Sequence, residues 1–343
     1  MVGLDGKLRG EQYHPPPVLL TVKSTFVVKP FHFPPITSKV HSTGHPSLFE
    51  ESQYRQFSKP IPEGKDLLVK VKAISVNPVD VKVRAPKDKT EDSPKILGWV
   101  VAGIVEQVGS ECTHFHPGDE VYYAGSITRA GGNSEYHLVD ERIVGKKPAL
   151  LDSAQAAALP LTAITAWEAL FDRLGVSRNP EVNKGKAILI IGAAGGVGSI
   201  AIQLAKYAGL TVIGTASQPK STAWVKEMGA DHTINHYDAF VPQLNKAGFQ
   251  NVEYIFCLNS TEQHWQNMAE AIAPQGKICS IVETDQPLNL TLLKNKSITF
   301  VWELMLRTTI TERLKPIHAA NLRKAHAIIE EGRTIGKIVL EEF

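Results

Sequence analysis

Cysteine is scarce in this chain. Three residues in 343, Cys112, Cys257 and Cys279, stand far apart. That spacing excludes a disulfide framework and a cysteine-built zinc cluster, and it fits a reducing, cytoplasmic setting. An excess of charge of one sign is also missing. The 37 Lys and Arg nearly balance the 35 Asp and Glu, leaving +2, so nothing points to nucleic acid or to an anionic membrane. No apolar run is long enough to span a bilayer. The first residues carry Asp5, Lys7 and Arg9 rather than an apolar leader core. What remains is an ordinary soluble composition, 43% hydrophobic and 21% charged, on a chain long enough for two domains.

The strongest local signal is Ala187 to Gly198, AILIIGAAGGVG. A short apolar run leads at once into glycines at 192, 195, 196 and 198. SIAIQLAKYAG follows with apolar residues at helical spacing. Strand, glycine turn and helix together bind a pyrophosphate. Glycine lets the backbone approach the phosphates, and the helix start offers unpaired N–H groups and partial positive charge. A second apolar strand, TVIGT at 211–215, follows, and βα alternation runs on to about Val282. That context turns a weak motif into a dinucleotide-binding reading.

Residues 1–55 read as an irregular extension. Prolines at 15–17, 30, 34, 35 and 46 break any helix. Val18–Val28 is either a strand or an unstructured apolar run, and His14, His32, His41 and His45 lack zinc-site spacing. Beyond Asp66, strands are expected at Leu68–Ser75, Leu97–Val108, Glu120–Ala124 and Ser134–Val139, with a helical turn after Asn77-Pro78. Many short strands with turns between them indicate a compact barrel-like domain. The alanine-rich segment from Ser153 is helical in period, broken at Pro160, with Ser153 expected as its N-cap. It should link this domain to a βαβα region. There the strands are expected at Ala187–Ile191, Thr211–Thr215, His232–Ile234, Val252–Leu258, Lys277–Val282 and Ser297–Trp302. A helix at Ala319–Glu331 and a strand at Lys337–Leu340 follow.

Several segments together resemble the medium-chain dehydrogenase/reductase superfamily. They are GAAGGVG, KAISVNPVDVKVR, LGWVVAGIVEQVG, PGDEVYYAGS, ALPLTAITAWEALFDRLG and AANLRKAHAIIEEGRTIGKIVLE. The likeness is to the quinone oxidoreductase branch and, within it, the zinc-type alcohol dehydrogenase-like group. It covers about residue 56 to the end. It implies an α/β fold, with a Rossmann cofactor domain over 161–304 and a discontinuous, β-rich GroES-like catalytic domain over 56–160 and 305–343.

Zinc-dependent relatives carry a ligand cysteine where this chain has Asn77-Pro78-Val79-Asp80. They carry a Gly-His-Glu motif where it has Gly98-Trp99-Val100. With no ligand at either place, no metal is expected; His114 and His116 read as surface residues. Without a Lewis acid, alcohol oxidation is poorly served. Quinones and α,β-unsaturated carbonyls accept hydride at an electron-poor carbon, and hydrogen bonds suffice to polarise the oxygen.

An NAD-binding Rossmann fold carries an acid about 20 positions after the glycine motif. Here that count reaches Ser217, with Lys220 following and no acid before Glu227. A hydroxyl and an ammonium suit a 2′-phosphate, so NADPH is expected. The resemblance completes the cofactor set as Gly192, Ala194, Gly195, Gly196, Val197, Gly198, Ser217, Lys220, His236 and Leu258. It also sets Asn77 and Thr162 beside the nicotinamide. Bland readings stand next to these: an Asx-Pro turn for Asn77, a bond back into its own helix for Thr162, a solvated surface lysine for Lys220 and a simple surface histidine for His236. Of Tyr122 and Tyr123, strand alternation lets at most one line a substrate pocket, and Tyr123 is the candidate. The expected partner is a small carbonyl or quinone substrate, with a homodimer as the assembly the resemblance raises. The competing class is a crystallin-like NADPH-binding protein with impaired turnover.

Two departures from the family stand out. Residues 1–55 do not show the opening strand of relatives. WELMLRTTITERLKP also passes directly into the last helical segment where relatives carry a further helix and strand. Losing that helix should expose an apolar patch of roughly several hundred Å².

Overall fold

The computed structural model describes residues 25–28, 59–85, 95–305 and 337–341. Two sheets organise them. The first has seven strands: β1 (Thr25–Val28), β2 (Asp66–Val76), β3 (Val100–Val108), β4 (Glu120–Ala124), β5 (Tyr136–Asp140), β6 (Val144–Lys146) and, much later in sequence, β13 (Lys337–Glu341). Their order is β1-β13-β2-β3-β4-β6, with β5 on β2. All pairs are antiparallel except β1 with β13. Strand β2 is buried along most of its length, with Lys70 and Lys72 exposed: Leu67, Val69, Val71 and Ile74 join Val101, Val105, Val121, Tyr123 and Val139 in one apolar cluster. A short helix, α1 (Pro78–Arg84), leaves the end of β2 because Pro78 fixes its first turn.

The 1–55 reading needs correction. Thr25–Val28 is a strand in register with Lys337–Leu340, so this region does place a strand in the β-rich sheet. TFVV has the β-branched and aromatic make-up of a strand. Its partner lies some 310 positions away, beyond the reach of any local pattern.

The alanine-rich segment forms three pieces: α2 (Ser153–Ala157), α3 (Pro160–Trp167) and a wider π-helical stretch at Glu168–Arg173. The N-cap is Asp152 rather than Ser153. Its carboxylate accepts from Gln155 N at 2.7 Å, and the Gln155 side chain accepts from Asp152 N at 3.1 Å. This reciprocal pair satisfies two orphan donors, which a serine one residue late cannot do. α2 lays Ala154 and Ala156–Ala158 on Ala73 and Ala102 of the β-rich sheet. α3 packs on the nucleotide-binding side, so the broken helix joins the two lobes.

The second sheet has six parallel strands: β7 (Ala187–Ile191), β8 (Thr211–Thr215), β9 (His232–Ile234), β10 (Val252–Cys257), β11 (Ile272–Ser280) and β12 (Thr299–Trp302). Between them run α5 (Gly196–Tyr207), α6 (Pro219–Glu227), α7 (Phe240–Lys246), α8 (Thr261–Ala271) and α9 (Thr291–Lys294), with α4 (Pro180–Asn183) ahead of β7. Both faces are covered, so β7 is continuously apolar. Ile188 and Ile190 pack under α3, α5 and α6, while Ala187, Leu189 and Ile191 pack under α7 and α8. The sheet order is β12-β11-β10-β7-β8-β9. The winding therefore reverses between β7 and β10, which marks the crevice where such sheets take ligands. The helix expected at 319–331 lies outside the described residues.

Candidate active site

The glycine turn stands at that reversal. Gly192 has φ +79°, a left-handed conformation open to glycine. A Cβ there would meet Leu258 and Asn259 at the end of β10 at 3.3–3.5 Å. Gly198 is needed for packing, since a Cβ would lie 2.5 Å from Ala193 O. At Gly195 an added Cβ would meet only Gly192 O at 3.4 Å. Ala194–Val197 are half-buried between buried neighbours, so the crest of the turn is open. The first N–H groups of α5 have no partner within the helix. A cradle that glycine keeps clear, at a twelve-residue helix start, fits a pyrophosphate.

Neighbouring strands bring the other candidates to the same edge. Ser217 and Lys220 follow β8, His236 follows β9 and Leu258 follows β10. Leu258 N donates to Ile191 O at 3.0 Å, and Gly192 N donates to Thr215 Oγ1 at 3.0 Å, tying the three strand ends together. Ser217 is half-buried and Lys220 exposed. Burial pushes the His236 imidazole below its ordinary pKa. Its ring sits 4.4 Å from that of Tyr237.

The β-rich lobe presents α1 to this edge. Lys82 Nζ reaches Glu283 Oε1, beyond β11, at 2.6 Å. At the start of α1, Asn77 is 1% exposed. Its Nδ2 donates to Ser75 O at 2.9 Å, and its Oδ1 accepts from Lys337 Nζ at the head of β13. Asp80 is equally buried and accepts from Asn77 N at 2.7 Å and Gly98 N at 3.1 Å. Burial pushes the Asp80 carboxyl up to about 6 against those bonds. It pushes the Lys337 ammonium down to about 8 against the attraction of Asp80. Neither Asp80 nor Lys337 was singled out by sequence reasoning. The only signal for Asp80 was its position three residues into NPVD; Lys337 gave none.

Thr162 is buried in α3, and its hydroxyl lies 3.0 Å from both Ala158 O and Leu159 O. That proton is used within the helix, while the oxygen can still accept. Tyr123 needs correction. It is 2% exposed inside the β-rich core, with its hydroxyl 2.9 Å from His137 Nδ1. His137 Nε2 lies 3.0 Å from Ala130 O, so Nε2 carries the proton and Nδ1 accepts from the phenol. Burial holds His137 down to about 4 and the phenol well above its ordinary range. A phenol locked this way lines no substrate pocket. Tyr122, on the opposite face of β4, is half-buried against the α2 cluster.

Two family profiles match the chain: an alcohol dehydrogenase GroES-like domain over residues 63–149 and a zinc-binding dehydrogenase over 196–317. A zinc-type alcohol dehydrogenase-like protein of Staphylococcus aureus is 42% identical over 323 residues, covering 86% of this chain and 95% of that one. This chain is a member of that group within the medium-chain dehydrogenase/reductase superfamily. A crystal structure of a putative zinc-dependent alcohol dehydrogenase from Rhizobium etli superposes with TM-score 0.79 at 44% identity, covering 89% of this chain and 98% of that one. A 2-methylene-furan-3-one reductase of Solanum lycopersicum is 40% identical over 189 residues, 51% of this chain and 46% of that protein. As a member of the superfamily the chain is an oxidoreductase, and the family supports a nicotinamide cofactor.

The zinc in the profile's description does not fit these residues. Asn77 offers an amide already engaged by an ammonium. Trp99 is fully buried, with its indole N–H donating to Arg129 O at 3.0 Å. Among the described residues no group of three or more His, Cys, Asp or Glu side chains is arranged to hold a metal ion. His114 and His116 are exposed, and His114 pairs with the structural carboxylate of Glu141 at 3.2 Å.

Proposed function

We propose that this member of the superfamily is an NADPH-dependent reductase that works without zinc on quinones or α,β-unsaturated carbonyl compounds. The observation that carries the cofactor choice is the turn after β8. It offers Ser217 and Lys220 and no carboxylate between Ala216 and Ser221. A carboxylate there would repel a 2′-phosphate, whereas an ammonium and a hydroxyl hold it by charge-assisted bonds. Gly192, Ala194–Gly198 and Leu258 would hold the pyrophosphate, and His236 would lie by the adenosine. Bound, the dihydronicotinamide supplies two electrons and a proton's worth of hydrogen to the substrate.

The chain's own residues then position and polarise. Asn77 offers an N–H toward an oxygen that gains charge, and Thr162 offers an acceptor. The Lys82–Glu283 pair spans from α1 to the segment beyond β11. The ene-carbonyl preference follows from chemistry: the residues at 77 and 98–100 do not suit a metal that would make an alkoxide, and hydrogen bonds suffice for a conjugated acceptor. The named activity of the tomato relative is of this type. With Tyr123 locked away, none of the candidate residues is a dedicated acid among the described residues, and solvent delivers the proton.

Lys220→Ala should reduce the ratio of NADPH to NADH affinity by about tenfold or more. An unchanged ratio rejects the cofactor assignment. Loss of NADPH absorbance with a panel of quinones and enals tests the reaction. A specific observation favours the second reading: Asn77, Thr162 and Tyr123 are all buried with internal partners. NADPH-induced thermal stabilisation with no turnover on any acceptor would favour the binding protein.

A further inference from the structure

The side chain of Asn77 is oriented by two partners of fixed polarity. Lys337 Nζ can only donate, and it sits on Oδ1. Ser75 O can only accept, and it sits on Nδ2 at 2.9 Å. Oxygen and nitrogen of the amide are therefore unambiguous. Lys337 is itself placed by register. It precedes Ile338, which pairs with Val76, so the lysine arrives opposite Asn77 from 260 residues away. Asp80 completes the group. Its carboxylate is tied to the backbone N–H of Asn77 and Gly98 and also interacts with the Asn77 side chain, which fixes a negative charge beside the ammonium.

A lysine drawn partly out of water is costly unless it is paired. Here the ammonium spends a hydrogen bond on an amide oxygen. A cation on Oδ1 draws electron density out of the amide and strengthens its N–H as a donor. We infer that Lys337, with Asp80 as its counter-charge, is a positioning residue that fixes Asn77 as a polarised hydrogen-bond donor for the oxygen that gains charge during reduction. Lys337 acts through Asn77 and does not itself touch the substrate. The inference rests on the reductase reading and adds to it the source of electrophilic help in a site without a metal.

A double-mutant cycle on the full chain tests it. Lys337→Met and Asn77→Ala should each lower kcat by about 10- to 100-fold, the range for losing one preorganised donor. NADPH affinity should stay within about threefold. The double variant should be no slower than the slower single variant, because both remove one device. Lys337→Arg, which keeps charge and donor, should recover part of the loss. Unchanged kcat in Lys337→Met, multiplied losses in the double variant, or Arg performing no better than Met would each overturn the inference. Should Lys337→Met fail to fold because Asp80 is left uncompensated, Lys337→Met/Asp80→Asn removes both charges, and its kcat is read in the same way. If the wild type turns over no acceptor, the reductase reading fails separately. The inference is then judged on the Asn77 side-chain amide resonances, identified by their loss in Asn77→Ala. They should shift downfield in wild type relative to Lys337→Met, and coincident resonances overturn the polarised amide.

Discussion

Single residues decide this site through groups that must be read in pairs. Between about pH 6 and about pH 8 Asp80 is ionised and Lys337 is protonated. Below that window the carboxyl gains a proton, and above it the ammonium loses one. Turnover should therefore peak within it and fall on both sides, and Lys337→Arg should move the alkaline limb upward because guanidinium stays charged. A flat profile from pH 5 to 9 would detach the pair from the reaction. Legibility in the sequence followed distance along the chain. The glycine turn was readable because Gly192, Gly195 and Gly198 act on neighbours within a few positions. Lys337 was invisible because its partner lies 260 residues away. Tyr123 was misjudged because alternation tells that two tyrosines face opposite sides, not which side is core; burial inside the β-rich lobe decided it.

At the scale of elements, the strands of the parallel sheet were legible because each is a short apolar run between turn signals. β7, β8 and β9 begin and end where their composition changes. β11 begins at Ile272, earlier than its sequence shows, because Pro274 and Gly276 interrupt the pattern. The start of α2 turned on one side chain: Asp152 makes the bonds that Ser153 cannot. Asp152→Ala should lower stability by about 1 kcal/mol, seen as a lower thermal midpoint, while Ser153→Ala should leave it nearly unchanged. Equal effects would refute the cap assignment.

At the scale of the whole molecule, a charged contact ties the linker helix to the far edge of the parallel sheet. Arg173 Nε, in the π-helical stretch, lies 2.8 Å from Oε2 of the buried Glu303, which follows β12. Burial and the nearby Glu168 push the Glu303 carboxyl from 4.5 up to about 7. A carboxyl raised on folding stabilises the fold below its ordinary pKa, and that help is lost as pH rises through about 7. Glu303→Gln cannot ionise. Its thermal midpoint should therefore gain on that of the wild type between pH 5 and pH 8. An identical difference at both pH values would show that Glu303 is not titrating there. On either side of Glu303, Trp302 is 46% exposed and Leu304 is 61% exposed.

The insertion of β13 between β1 and β2 has a consequence for biosynthesis. A ribosome finishes every strand of the parallel sheet before it reaches Lys337. The six described strands of that sheet are thus made while the other sheet still has a gap between β1 and β2. Only the late strand closes that gap, and the same event delivers the ammonium to Asn77. The strands that carry the glycine turn are therefore made before the lysine that the inference gives to Asn77.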